Sequence, residues 1–132
     1  MMYYLDANVI LDMIDGYPQV ILKFKEIYQK HLIKMSDIVY YEILRGFKYK
    51  HNYKNFAVFD DFCKHIEIDY QTQRSLEIAA DNYAFLKQNG KLIEDDDILI
   101  GSLAIANAAI LVTSNTEHLS RLKNIQIENW RK

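Results

Sequence analysis

Five short runs, Met2–Leu5, His31–Met35, Ile66–Tyr70, Ala109–Thr113 and Ile125–Ile127, are mostly apolar, and long stretches with apolar residues at helical spacing separate them. Runs this short read as strands, and the stretches between them as helices. Strands that alternate with helices build βαβ units and a mostly parallel sheet covered on both faces. The sequence therefore predicts an α/β chain: a three-layer α/β/α sandwich around a central, mostly parallel sheet of four to five strands.

Local signals fill in the helices. Ala7 to Met13 can start one, and Gly16-Tyr17-Pro18 punctuates it before residues 20, 21, 24, 27 and 28 resume an apolar stripe. Ser36 or Asp37 can cap the next helix, with Val39, Ile43 and Phe47 as its inner face. Aromatic and basic residues then alternate, with a turn expected near His51-Asn52 and a second helix up to Phe62. Gln71 to Asn89 reads as a long helix with Leu76, Ala79, Ala80, Tyr83 and Leu86 on one face and Gly90 as its stop. The acid-rich loop Leu92 to Asp97 leads into a last long helix, Ile98 to Ala106, whose small residues permit close packing.

With 132 residues, half of them hydrophobic, one proline and four glycines, the chain is expected to be one domain, 1–132, without linker or repeat. The formal charge of −2 argues against nucleic-acid binding through bulk positive charge, although acids gathered in a metal site would lower the total without touching a binding face. A lone Cys63 forms no internal disulfide and is expected to pack beside Phe59 and Phe62. No signal peptide or membrane-length apolar run is read, which points to a cytoplasmic protein with no membrane partner.

In a parallel sheet the C-terminal ends of all strands open on the same side, so residues just beyond them converge. Asp6 ends the first strand, Glu42 lies about a turn and a half into the helix after the second, and Asp95 to Asp97 precede the helix that leads to the apolar strand at 109. Thr113, Ser114 and Asn115 end that strand. Carboxylates brought together repel one another unless a countercharge joins them, and a divalent cation with oxygen ligands answers this. Each acid also has an ordinary use: Asp6 as a helix cap, Glu42 as a partner of Arg45, and Asp95 to Asp97 as first-turn residues facing the helix dipole. The four histidines show no ligand spacing and read as surface or structural residues.

In these residues the chain resembles the PIN-domain ribonucleases, and among them the VapC-like toxins of type II toxin–antitoxin pairs. Leu5-Asp6-Ala7-Asn8-Val9 matches the opening strand and D-[TA]-N-[VI]. Ser36 through Glu42-Ile43-Leu44-Arg45-Gly46 matches the second signature. Asp97-Ile98-Leu99-Ile100-Gly101-Ser102 and Leu111-Val112-Thr113-Ser114-Asn115 match the third and fourth.

The resemblance implies a PIN-like sandwich and Mg²⁺- or Mn²⁺-dependent hydrolysis of RNA, structured or loop RNA such as tRNA. It implies Asp6, Glu42 and Asp97 as catalytic and metal-binding carboxylates, Asp95 as a further metal candidate, and Asn8, Thr113 and Asn115 as supporting polar residues. It also implies a VapB-like antitoxin and a homodimer. Asn115 stands where some members hold aspartate, and Gly101 and Ser102 replace alanines. The basic and aromatic stretch containing Arg45, Lys48, Lys50 and Lys54 suits RNA phosphates and bases, an amphipathic antitoxin segment, or a solvated face.

Three rival readings are weighed against this. A haloacid dehalogenase-type phosphatase needs D-x-D, and Asn8 stands at the second aspartate. A phosphate-receiver domain needs a later acid and lysine that have no place here. A degenerate PIN fold acting only as a binding module would not require three intact acids.

Overall fold

A strand followed at once by a capped helix opens the chain. The structure, a computed structural model, describes residues 1–132. Strand β1 (Met2–Leu5) leads into α1 (Ala7–Ile14), and Asp6 between them caps α1 by accepting from the Ala7 amide. Gly16 takes a positive φ of 81° that lets the chain turn, and Pro18 then sits at the first position of α2 (Pro18–Tyr28), where a missing N–H costs nothing. Next come β2 (Leu32–Ser36), α3 (Asp37–Tyr49), α4 (Tyr53–Phe62) and β3 (Glu67–Asp69). The remaining elements are α5 (Gln73–Gln88), α6 (Asp95–Ala106), β4 (Ile110–Val112), α7 (Thr116–Leu119) and β5 (Gln126–Glu128).

All five strands are parallel, in the order β3-β2-β1-β4-β5. The chain builds outward from β1 to β3 and then returns to build β4 and β5 on the other side. With right-handed crossovers this reversal puts helices on both faces, as expected of a three-layer sandwich. It also makes the β1–β4 seam a topological switch point, the place where open α/β sheets leave a crevice beyond their strand ends. Leu5 pairs with Val112 across that seam, so Asp6 and Thr113 emerge side by side.

The core is made by the strand runs together with one stripe from each helix. Tyr4, Leu5, Met35, Leu111 and Val112 on the sheet are at most 1% exposed, and Val39, Phe59, Leu86 and Leu103 close over them. Cys63 is partly buried against this core, and burial pushes its thiol up to about 11, so it is a packed group rather than a reactive one. No helix is long and apolar enough to cross a membrane.

Three expectations needed correction. The buried face of α5 is Ser75, Ala79, Asn82 and Leu86, while Leu76 and Tyr83 are exposed. Ser75 is fully buried because it completes a reciprocal cap with Thr72, and buried Asn82 bonds Ser102 at 3.4 Å. Polar residues with built-in partners thus turned the helix away from its most apolar stripe. Second, α6 begins at Asp95, so the acid triplet is its first turn and not a loop. Third, α7 is a single turn after β4 that was too short to leave a periodic signal.

Gly101 on α6 is constrained by packing. A Cβ there would fall 2.2 Å from Leu122 Cδ1 and 3.3 Å from Leu119 Cδ1, so the space an alanine would take is filled by the chain after α7. Gly101→Val should overpack this contact and lower stability by about 1–3 kcal/mol. Leu122→Ala alone should cost about 2–5 kcal/mol, and the double variant less than the sum. Denaturant midpoints of the four proteins check this; strict additivity would show that the two side chains do not compete for the same volume.

Candidate active site

Asp6 is 5% exposed, and its carboxylate is held from three directions. Oδ1 accepts from the Ala7 amide at 2.8 Å, while Oδ2 accepts from Thr113 Oγ1 at 2.7 Å and from Asn8 Nδ2 at 3.2 Å. Burial raises its pKa, and these three donors pull the other way without prevailing. The cap and the site are therefore the same group: the first turn of α1 orients the carboxylate that the crevice uses.

The donors are themselves fixed. Thr113 is fully buried and its Oγ1 also accepts from the Asn115 amide at 3.0 Å; Asn8 Oδ1 accepts from the Ser114 amide at 3.1 Å. The first turn of α1 is thus stitched to the end of β4. Asn115 extends the network, since its Nδ2 donates to Asp97 Oδ2 at 3.4 Å.

Glu42 from α3 and Asp97 from α6 face Asp6 across the crevice, and both are half-buried. Burial pushes Glu42 up to about 7, with the Asp6 and Asp96 charges adding to it and Arg45 opposing it. Burial likewise pushes Asp97 up to about 6, reinforced by Asp6 and Glu94 and opposed by His118. The Asp6 charge raises both, which is what a negative group does to others in a desolvated space without a cation between them. The acids stand far enough apart that no three of them form a ready-made metal cage.

A second acid of the triplet joins this group: Asp96, whose charge raises Glu42 and which pairs with Arg45 at 3.4 Å. Asp95, expected as the further metal candidate, is exposed on the wall of a groove with Leu76, Ala80 and Tyr83 of α5. Residues two apart on a helix point about 200° away from each other, so Asp95 and Asp97 could not both face Asp6.

The basic residues divide in the same way. Arg45 folds back on the acids, 3.8 Å from Glu42, with its guanidinium over the Tyr41 ring at 5.1 Å. Lys48 lies over Phe56, Lys50 lines a cavity that begins at Glu42, and Lys54 is exposed on α4. His118, expected to be a surface or structural residue, lines the cavity beside Asp97. Only its place shortly after the strand end could have signalled this.

The raised pKa values have a thermodynamic consequence. A carboxyl that holds its proton more tightly folded than unfolded favours the fold at low pH, and that advantage is lost as pH rises through the folded-state value. In the presence of a chelator, wild-type protein should therefore lose stability relative to Glu42→Gln between about pH 4.5 and 7.5, by roughly 1–2 kcal/mol at the upper end after screening. Thermal midpoints across that range, compared between the two proteins, test it; parallel curves would show that Glu42 titrates normally.

A PIN-domain family model matches residues 3–125. The chain is 33% identical to Ribonuclease VapC2 of Rickettsia felis along the full length of both, and 30% identical to Ribonuclease VapC2 of Haemophilus influenzae over 97% of each. Its fold superposes with a TM-score of 0.92 on a chain of VapBC2 from Rickettsia felis bound to a promoter DNA fragment, at 30% identity over 98% of this chain and 99% of that one. VapBC-1 from nontypeable Haemophilus influenzae, at 23% identity and a TM-score of 0.90 over the whole of both chains, shares the fold. Carrying the family's domain over nearly its full length, and matching VapC ribonucleases end to end, the chain belongs to the PIN-domain family, with the VapC ribonucleases as its relatives.

Proposed function

We propose that this protein is a VapC-like toxin, an endoribonuclease that hydrolyses RNA phosphodiester bonds with Mg²⁺ or Mn²⁺ and is held inactive by a VapB-like antitoxin. The observation that carries the chemistry is buried Asp6 facing Glu42 and Asp97, both with pKa values raised by burial and by the Asp6 charge, at the switch point of a parallel sheet. The relatives support the biology: they are named as ribonucleases, and the solved structures are VapBC complexes.

The donor set fits a hard divalent cation. All the candidate ligands are carboxylate oxygens, with no thiolate or ring of histidines to favour zinc or copper. Of the roughly four lone-pair positions on Asp6, protein donors take three, which leaves one on Oδ1. Mg²⁺ needs only one or two carboxylates and keeps several waters, so acids that stand apart suit it. Asp6 and Asp97 would hold the ion, with Glu42 beside them; once bound, it offsets the carboxylate charge and lowers the pKa of coordinated water.

The residues then take distinct parts. Thr113 and Asn8 keep Asp6 from rotating, and Asn115 does the same for Asp97. Glu42, half-buried beside Asp6, is placed to accept or return a proton at the reacting water. Arg45 spreads positive charge over Glu42 and Asp96, and the exposed Lys48, Lys50 and Lys54 offer contacts to RNA phosphates.

Purified protein incubated with RNA and Mg²⁺ should cut it, EDTA should abolish the cutting, and Asp6→Asn should reduce it by about a hundredfold or more. Cutting that survives both chelation and Asp6→Ala would sink the proposal. Mg²⁺ should also raise the thermal midpoint at pH 7.5 more than at pH 5, because protonated acids bind it poorly. Scanning calorimetry at the two pH values checks this independently of any substrate.

A further inference from the structure

The crevice has two unlike sides. On the Glu42 side a cavity of about 320 Å³ sets Lys50, a cation suited to phosphate, beside Asp15 and Glu42. On the Asp97 side a cavity of about 450 Å³ is lined by Leu92, Ile93, Glu94, Asp97, Asn115 and His118. That volume lies within the range of about 300–1,000 Å³ that small-ligand sites occupy.

We propose that the second cavity takes the base of a nucleotide next to the scissile phosphate, with His118 as its stacking surface and Glu94 as the group that reads its edge. This rests on the ribonuclease reading of the same crevice and adds a specificity-determining pair to it.

Three observations carry it. Glu94 is the N-cap residue of α6, yet its side chain makes no capping hydrogen bond, so an exposed carboxylate is left free at the cavity wall. His118 is exposed and forms no ion pair, while its neighbours Glu117 and Arg121 pair with each other at 4.0 Å. Leu92, 44% exposed, gives the cavity an apolar wall beside these polar groups.

The charge decides which part of RNA enters. Glu94 stands without a capping bond on one wall and repels phosphate, while Lys50 on the other side attracts it, so the backbone is directed toward the Lys50 side and the base toward His118. A carboxylate accepts and does not donate, so it selects bases that offer an amino group. Adenine, guanine and cytosine do so. Uracil flanks its one N–H with carbonyls that oppose the carboxylate.

Uncleavable 2′-O-methyl oligonucleotides of A, C and U, followed by fluorescence anisotropy in Mg²⁺ buffer, test the assignment apart from catalysis. Wild-type protein should bind oligo-A and oligo-C more tightly than oligo-U. His118→Ala should weaken all three by about tenfold, and His118→Phe should restore binding, as a stacking role requires. Glu94→Gln should narrow the gap to oligo-U.

Equal binding of the three oligonucleotides by wild type, unchanged in His118→Ala and in Glu94→Gln, would overturn the proposal. So would an arginine-containing peptide whose binding is lost in Glu94→Gln, with no oligonucleotide binding; the cavity would then belong to a protein partner. If the binding pattern holds but unmodified RNA of the same sequences is never cut with Mg²⁺ or Mn²⁺, the nuclease reading fails and the pocket stands.

Discussion

The structure depends on keeping one carboxylate buried at the end of the central strand. Asp6 cannot be desolvated without donors, and each donor comes from a different level of the fold: Ala7 from the helix it caps, Asn8 from the next position in that helix, and Thr113 from the neighbouring strand. The Asp6 amide also donates to Val112 O at 2.9 Å, so the backbone pairing and the side-chain network secure the same seam. A buried polar group costs free energy unless it is bonded. The β1–β4 pairing and the phase of α1 are therefore conditions for Asp6 to exist where it does.

Around that fixed point the other acids are arranged on less rigid terms. Glu42 and Asp97 come from helices and are half-buried, with Arg45 offsetting the charge of Glu42 and His118 that of Asp97. Arg45 lies against Tyr41 and bridges Glu42 and Asp96, which makes it an internal countercharge for the part of the cluster farthest from Thr113. A cleft of this kind is strained electrostatically when empty and relaxed when a cation enters, which couples binding to stability.

Much of this was legible in the sequence, for physical reasons. Strand runs, caps and glycine stops act locally, so β1, the Ser36 cap and the halt at Gly90 could be read directly. The convergence of Asp6, Glu42 and the acid triplet followed from the polarity of a parallel sheet. What escaped was helix phase. Which of Asp95 and Asp96 turns inward depends on where α6 starts within one residue, and the face that α5 buries depends on hydrogen bonds between Thr72 and Ser75 and between Asn82 and Ser102. His118 escaped as a cavity residue because a one-turn helix has no period; the Arg45–Glu42 pair was legible from their spacing on one helix, but its extension to Asp96 on α6 was not.

A contact far along the chain from the acids supports the same seam. Asp12 on the outer side of α1 is only 8% exposed and accepts two bonds of 2.7 Å from Arg131, whose guanidinium also lies over Tyr17. A bidentate pair of this kind fixes orientation as well as distance. Trp130, 3% exposed and beside Tyr3, carries Arg131 into position after β5. Helix α1 is thus held at its start by the site and along its outer face by the segment after the last strand. A rotation of α1 that displaced Asn8 from Asp6 and Ser114 would also have to break the Asp12–Arg131 fork. The geometry of the acids is therefore maintained from both edges of the seam, and the residues after β5 belong to its support.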